Sequence, residues 1–142
     1  MSRFSSLLLA LGMTLAGVAS APAADLVAVR IDEPGICGHD RVLNRIVDRF
    51  AYQVRHVPNL PDVGILDFYQ VTEVRYEPQG ENRPIERRYC RATVALSDGD
   101  SRTVRYLIER PMGFAGIGSN VEFCVAGFDR WYVYNGRCRV LR

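Results

Sequence analysis

Two different spacings of apolar residues divide the chain. From about Gly38 to His56 they recur at helical intervals: Val42, Leu43, Ile46, Val47, Phe50, Ala51, Val54 and Val57 form one stripe. Arg41, Asn44, Arg45, Asp48, Arg49 and Arg55 fall opposite. This pattern predicts an amphipathic helix with one buried face. Asp40 suits its N-terminus, and Arg55 and His56 suit the negative end of its dipole. Pro58 ends it, because the residue before a proline is driven out of the helical region.

After a Pro/Asp/Gly-rich connection, 58–67, the spacing drops to two. Segments 68–77, 86–96, 102–110 and 121–126 read as strands. Ser97-Asp98-Gly99-Asp100 marks a hairpin between the second and third. Ala92, Val94 and Leu96 share a face with Val104, Tyr106 and Ile108 only if opposed positions sum to an even number. That excludes a plain two-residue Asp-Gly turn and predicts a three-residue loop at 98–100, or a bulge. The end of the chain, Trp131 to Leu141 around Asn135-Gly136, predicts a closing hairpin with a type I′ turn. That hairpin puts Trp131, Val133, Cys138 and Val140 on the core face and Tyr132, Tyr134, Arg137 and Arg139 outside. Leu26 to Ile31 reads as a short strand or an extended arm.

The expected fold class is α+β: one amphipathic helix packed on a mostly antiparallel sheet of roughly four to six strands. One sheet face takes the helix. The other carries Glu73, Arg75, Glu77, Arg91 and Arg105 and is expected to be largely wet. The order resembles a cystatin-like or NTF2-like roll, a likeness of fold that implies no activity.

Residues 1–23 change what the rest means. Arg3 precedes an uncharged apolar run from Leu7 to Val18, and Ala21-Pro22-Ala23 supplies a small-x-small cleavage pattern. This reads as a secretory signal peptide, expected to be cut near Ala23 and to leave 24–142 as a single disulfide-stapled α+β domain. An uncleaved anchor is the alternative, although the run is shorter than the roughly 20 residues that span a bilayer. No other segment is apolar enough to cross a membrane, so the mature chain is expected to be soluble.

In an exported chain, Cys37, Cys90, Cys124 and Cys138 read as disulfides. There is no C-x-x-C, and the separations are poor for zinc, so neither a redox pair nor a metal site is expected. Cys90 lies on the apolar face of its strand and Cys37 just before the helix, which favours Cys37–Cys90 and leaves Cys124–Cys138. Side-chain parity counts against the second bridge, because Cys124 shares a face with Glu122; a bend at Gly127 repairs this.

Every basic residue is Arg, which removes lysine amine chemistry, and a formal net charge of +2 gives no case for nucleic acid or anionic membranes. Ser97 and Ser101 sit at a hairpin turn outside any nucleophile elbow, and a Ser119–His39 pair lacks support. Gly113 to Gly118 precedes a strand rather than a helix, unlike a phosphate loop. Glu73, Glu77, Glu109 and Glu122 read as cross-strand ion-pair partners rather than a catalytic pair. No cofactor is expected.

The stretch from Cys124 through Phe128-Asp129-Arg130-Trp131 to Arg139 resembles the ends of small exported alphaproteobacterial proteins of uncharacterised function. The resemblance implies export and paired cysteines, suggests the periplasm together with the absence of Lys, and lends no catalytic residues. The expected function is therefore that of a non-enzymatic binding or interaction module of the cell envelope. Its partner, an envelope protein or ligand, would meet a surface patch of Tyr132, Tyr134, Arg137 and Arg139, the residue types that dominate interface hot spots. Two alternatives stay open: an inhibitor of a secreted protease or lysozyme acting through the Gly113–Gly118 loop, and an enzyme built from scattered acids and His39.

Overall fold

The helix forms where the stripe predicts it, as α1 (Asp40–His56), burying Val42, Ile46, Phe50 and Val54 at four-residue intervals. Its N-cap is His39, whose Nδ1 accepts from the Arg41 N–H at 3.2 Å, so Asp40 is the first helical residue rather than the cap. The last turn closes with the Val57 N–H donating to the Gln53 carbonyl, immediately before Pro58. This computed structural model describes residues 35–112 and 117–142; the expected signal segment, the 26–31 run and residues 113–116 lie outside the described residues.

Four strands follow: β1 (Ile65–Glu77), β2 (Glu86–Leu96), β3 (Ser101–Arg110) and β4 (Asn120–Val125). They pair antiparallel in chain order, giving an open sheet with β1 and β4 at its edges. The fold is α+β, one helix on one antiparallel sheet, as the two spacings predict. The β2–β3 register has even sums, with Val94 opposite Arg102 and Ala95 opposite Ser101. Its three-residue loop is 97–99, one position earlier than expected. The Leu96 N–H donates to Asp100 O, and Gly99 takes φ +89°, the left-handed residue that such a loop needs.

β1 departs from a simple alternation. Three register shifts against β2, between Ile65 and Asp67, Tyr69 and Thr72, and Glu73 and Arg75, each insert an extra residue. Glu73 consequently lies opposite Cys90 and faces the helix side, where its carboxylate takes a 2.8 Å bond from Arg88. That corrects its expected place beside Arg75 and Glu77 on the far face. The reason is the bulge between Glu73 and Arg75, which parity counting does not register. Repeated bulges also blunt an exposed edge against pairing with other chains.

The main core lies between α1 and the near face of the sheet: Ile46 and Phe50 meet Cys90, Val94, Leu96, Val104, Tyr106, Ile108 and Val125. Phe50 packs edge-to-face on Phe128, with ring centroids 4.9 Å apart. Cys37 is bonded to Cys90, tying the entrance of α1 to the middle of the sheet. The buried Tyr106 hydroxyl donates to the Cys37 carbonyl at 2.8 Å beside this bridge.

The expected closing hairpin is absent. Residues 126–135 form turns, and Gly136–Leu141 is a 3-10 segment that lies back across the far face of β3 and β4. There Cys138 is bonded to Cys124, and both pack with Leu107, Leu141, Tyr89 and Tyr134 in a second, smaller apolar cluster. The parity objection disappears because the tail crosses the outer face instead of extending the sheet. Beyond this strip the far face is polar: Arg75 stacks on Tyr89, and the Arg87 guanidinium pairs with Glu109 at 3.0 Å.

Candidate interaction surface

The surface is built by one acidic side chain. After Gly127 turns the chain at φ +91°, the Asp129 carboxylate accepts the Val133 N–H through Oδ1 and the Tyr134 N–H through Oδ2, both at 2.8 Å. The Tyr132 N–H meets the Asp129 carbonyl at 3.2 Å. These are the amide groups a strand would need for its ladder; a local side-chain acceptor captures them instead. Asn135 then caps the 3-10 segment, its Oδ1 accepting from the Gly136 N–H. Its φ of +62° is paired with ψ of 168°, which is not the conformation of a type I′ turn.

Tyr132, Asn135, Arg137 and Cys138 all have positive φ, a dense run of strained non-glycine residues. The structure around them over-determines that conformation through the Asp129 bonds and the Cys124–Cys138 bridge. The loop is thus a fixed shape with apolar side chains turned outward. Trp131 is 65%, Tyr132 71% and Val133 66% exposed. Trp131, Val133 and Val140 were expected in the core as members of a hairpin face; with no hairpin, they have no sheet to face.

The ridge they form separates two depressions. On one side, a cleft of about 270 Å³ runs along the β4 edge beside α1, with Phe123, Phe128, Trp131 and Val133 supplying apolar walls and Arg49, Gln53, Asp129, Arg130 and Tyr134 the polar groups. On the other, Tyr132 and Arg137 line a larger hollow of about 540 Å³ with Leu60 and Pro61. The four nominated residues therefore do not form one patch. Tyr132 and Arg137 come together; Tyr134, half-buried, belongs to the cleft; Arg139 is exposed and bonds Asn135 Oδ1 at 3.1 Å. Burial, followed by Glu122 and Asp129 nearby, pushes the Tyr134 phenol above its ordinary range.

Two helix side chains, Arg49 and Gln53, hold the opposite wall, and Arg45 continues their row one turn earlier. Arg45, Arg49 and Gln53, spaced by four, donate to the carbonyls of Ser119, Val121 and Phe128 at 2.7, 2.6 and 2.9 Å. They bind the β4 edge to α1 and leave the cleft with a preformed rim. The helical spacing puts Arg45 and Arg49 on the solvent side and gives no sign of this role or of the part played by Asp129. Asp129 accepts from amides four and five residues on, outside the two-residue reach of an Asx-turn, and the arginine contacts span more than 70 residues, so neither has a local signal.

The chain matches no protein-family model, no curated protein and no solved structure. Its chemistry is therefore read from the side chains alone. His39 and Ser119 line a common depression, but no hydrogen bond joins them, no carboxylate lines it, and His39 Nδ1 already accepts from Arg41. Ser97 is structural, its Oγ accepting from the Gly64 N–H and linking the β2–β3 turn to the entrance of β1. Glu73, Glu77 and Glu109 each engage an arginine. Among the described residues no cluster has the makings of a metal site, and no helix is long and apolar enough to cross a membrane. Of the Gly113–Gly118 loop, only Ile117 and Gly118 are described.

Proposed function

We propose that this protein is a non-enzymatic binding module of the cell envelope. A signal peptide cut near Ala23 would export it to the periplasm, where it would engage a partner protein through the Trp131–Val133 ridge and the cleft beside it. Two disulfides suit an oxidising compartment. The observation that carries the reading is the ridge itself: three consecutive large side chains held outward on a backbone locked by Asp129 and Cys124–Cys138. Contiguous exposed apolar surface on a rigid support marks interaction sites, and Trp, Tyr and Arg are the usual anchors. Ordering costs are already met in the free protein, which favours affinity.

The test uses the single tryptophan, which is Trp131. A partner captured from envelope extracts and purified should shift Trp131 emission to the blue as it buries the indole. Tyr132→Ala with Arg139→Ala, and separately Asp129→Ala, should weaken capture at least tenfold. Undiminished capture by all of these variants, or binding without a fluorescence change, would overturn the reading.

A further inference from the structure

On the far face of the sheet, away from the ridge, β2 and β3 set two arginines directly opposite each other: Arg91 faces Arg105. Like charges on opposed rungs destabilise a sheet, and the other arginines of this face are arranged differently. Arg75 has Glu77 at 3.5 Å and the Tyr89 ring beneath it, and Arg87 has Glu109. Among the described residues no carboxylate lies within ion-pair distance of Arg91 or Arg105. The next rung toward Glu109 pairs Tyr89 with Leu107 and Leu107 with Glu122, and Glu122 makes no ion pair there. Arg142, at the end of the tail, adds a third positive charge near Arg105.

Arg91 and Arg105 border a depression of about 290 Å³ that is lined otherwise by Gln70, Ala92, Thr93 and Thr103. Gln70 sits in a β1 bulge at φ +53°, and its Oε1 accepts from Thr93 Oγ1 at 3.3 Å. Among the described residues the N–H₂ end of this amide donates to no protein acceptor. The lining therefore offers two guanidinium forks, an amide and the Thr103 hydroxyl, with no anionic group among them. We propose that this depression binds an oxyanion, either inorganic phosphate or a phosphomonoester group. Arginine forks match the spacing of phosphate oxygens, and a bound dianion would convert the repulsive rung into a bridged one. Desolvation, then the charges of Arg142 and Arg91, hold the Arg105 pKa below its ordinary value, consistent with an uncompensated positive site.

Thermal unfolding of the oxidised protein tests this, with phosphate, glycerol 2-phosphate, acetate and chloride compared at matched ionic strength. Phosphate or glycerol 2-phosphate at about ten times its Kd should raise the Tm by on the order of 5 °C, and acetate and chloride should not. In two-dimensional NMR the same titration should move the Thr93 and Thr103 amides. A response to both phosphates assigns the site to the phosphoryl group, and a response to inorganic phosphate alone assigns it to the free ion. Arg91→Gln, at an exposed position, should unfold at a higher temperature than the parent without anion and bind phosphate at least tenfold more weakly. Chloride matching phosphate, Thr93 and Thr103 unmoved, or Arg91→Gln keeping the full phosphate response would each overturn the proposal.

Discussion

Tyr106 shows how one hydroxyl ties the core together. It lies wholly inside, opposite Cys90 in register, and its only polar atom donates to Cys37 O. Tyr106→Phe leaves that carbonyl without its donor and should cost about 1–2 kcal/mol in urea unfolding. The same residue sets an alkaline limit. Burial raises its phenol above the ordinary value of 10.0, so the native state holds the proton longer than the unfolded chain does. Its contribution is complete below about pH 10 and declines as pH rises beyond that, because the unfolded state ionises first. Tyr106→Phe should flatten this alkaline fall in stability, with Tyr134, also raised chiefly by burial, leaving a residue of it. An unchanged slope above pH 10 would show that Tyr106 does not govern it. The apolar position of Tyr106 was legible from the alternation of β3; its hydroxyl partner, 69 residues away, was not.

Among the elements, α1 does two jobs with two faces. Val42, Ile46, Phe50 and Val54 cover the core, while Arg45, Arg49 and Gln53 reach sideways to carbonyls on and around the β4 edge. An edge strand left bare is a template for pairing with other chains, and these bonds occupy part of it. Arg45→Ala with Arg49→Ala should lower stability by roughly 1–3 kcal/mol and speed amide exchange in Asn120–Val125 more than in β2. Exchange in β4 that stays at the parent rate would show that the helix contacts do not protect it. Strand existence, helix limits and the even β2–β3 register follow from local spacing. The β1 bulges and the tail do not: an extra residue reverses every later position, and the Asp129 turn replaces ladder bonds by side-chain bonds.

For the molecule as a whole, the two disulfides secure different things. Cys37–Cys90 spans 53 residues and closes the main core; Cys124–Cys138 spans 14 and pins the tail over the far face. Loop-closure entropy predicts that replacing the first pair by serine costs about 4 kcal/mol and the second about 3. The functional consequences should invert that order. Loss of Cys124–Cys138 should release the 3-10 segment, raise proteolysis after Arg137 and Arg139 and weaken partner capture, with Cys90 and its neighbours still protected from exchange. If limited proteolysis leaves the tail intact in the Cys124→Ser, Cys138→Ser variant, the bridge is not what holds the ridge in place.

By itself the sequence determined the quantities that depend on near neighbours: the helix and its buried stripe, the antiparallel strands, the cysteines read as disulfides, and the absence of lysine chemistry. Side chains a few positions apart set these through spacing, caps and turns. Only the tertiary structure decided which residues meet. It turned Trp131 and Val133 from expected core to exposed ridge, split Tyr134 from Tyr132 and Arg137, moved Glu73 across the sheet and set Arg91 against Arg105. Those outcomes rest on a bulge, a captured amide pair and a chain crossing, each of which shifts register or direction for everything that follows it.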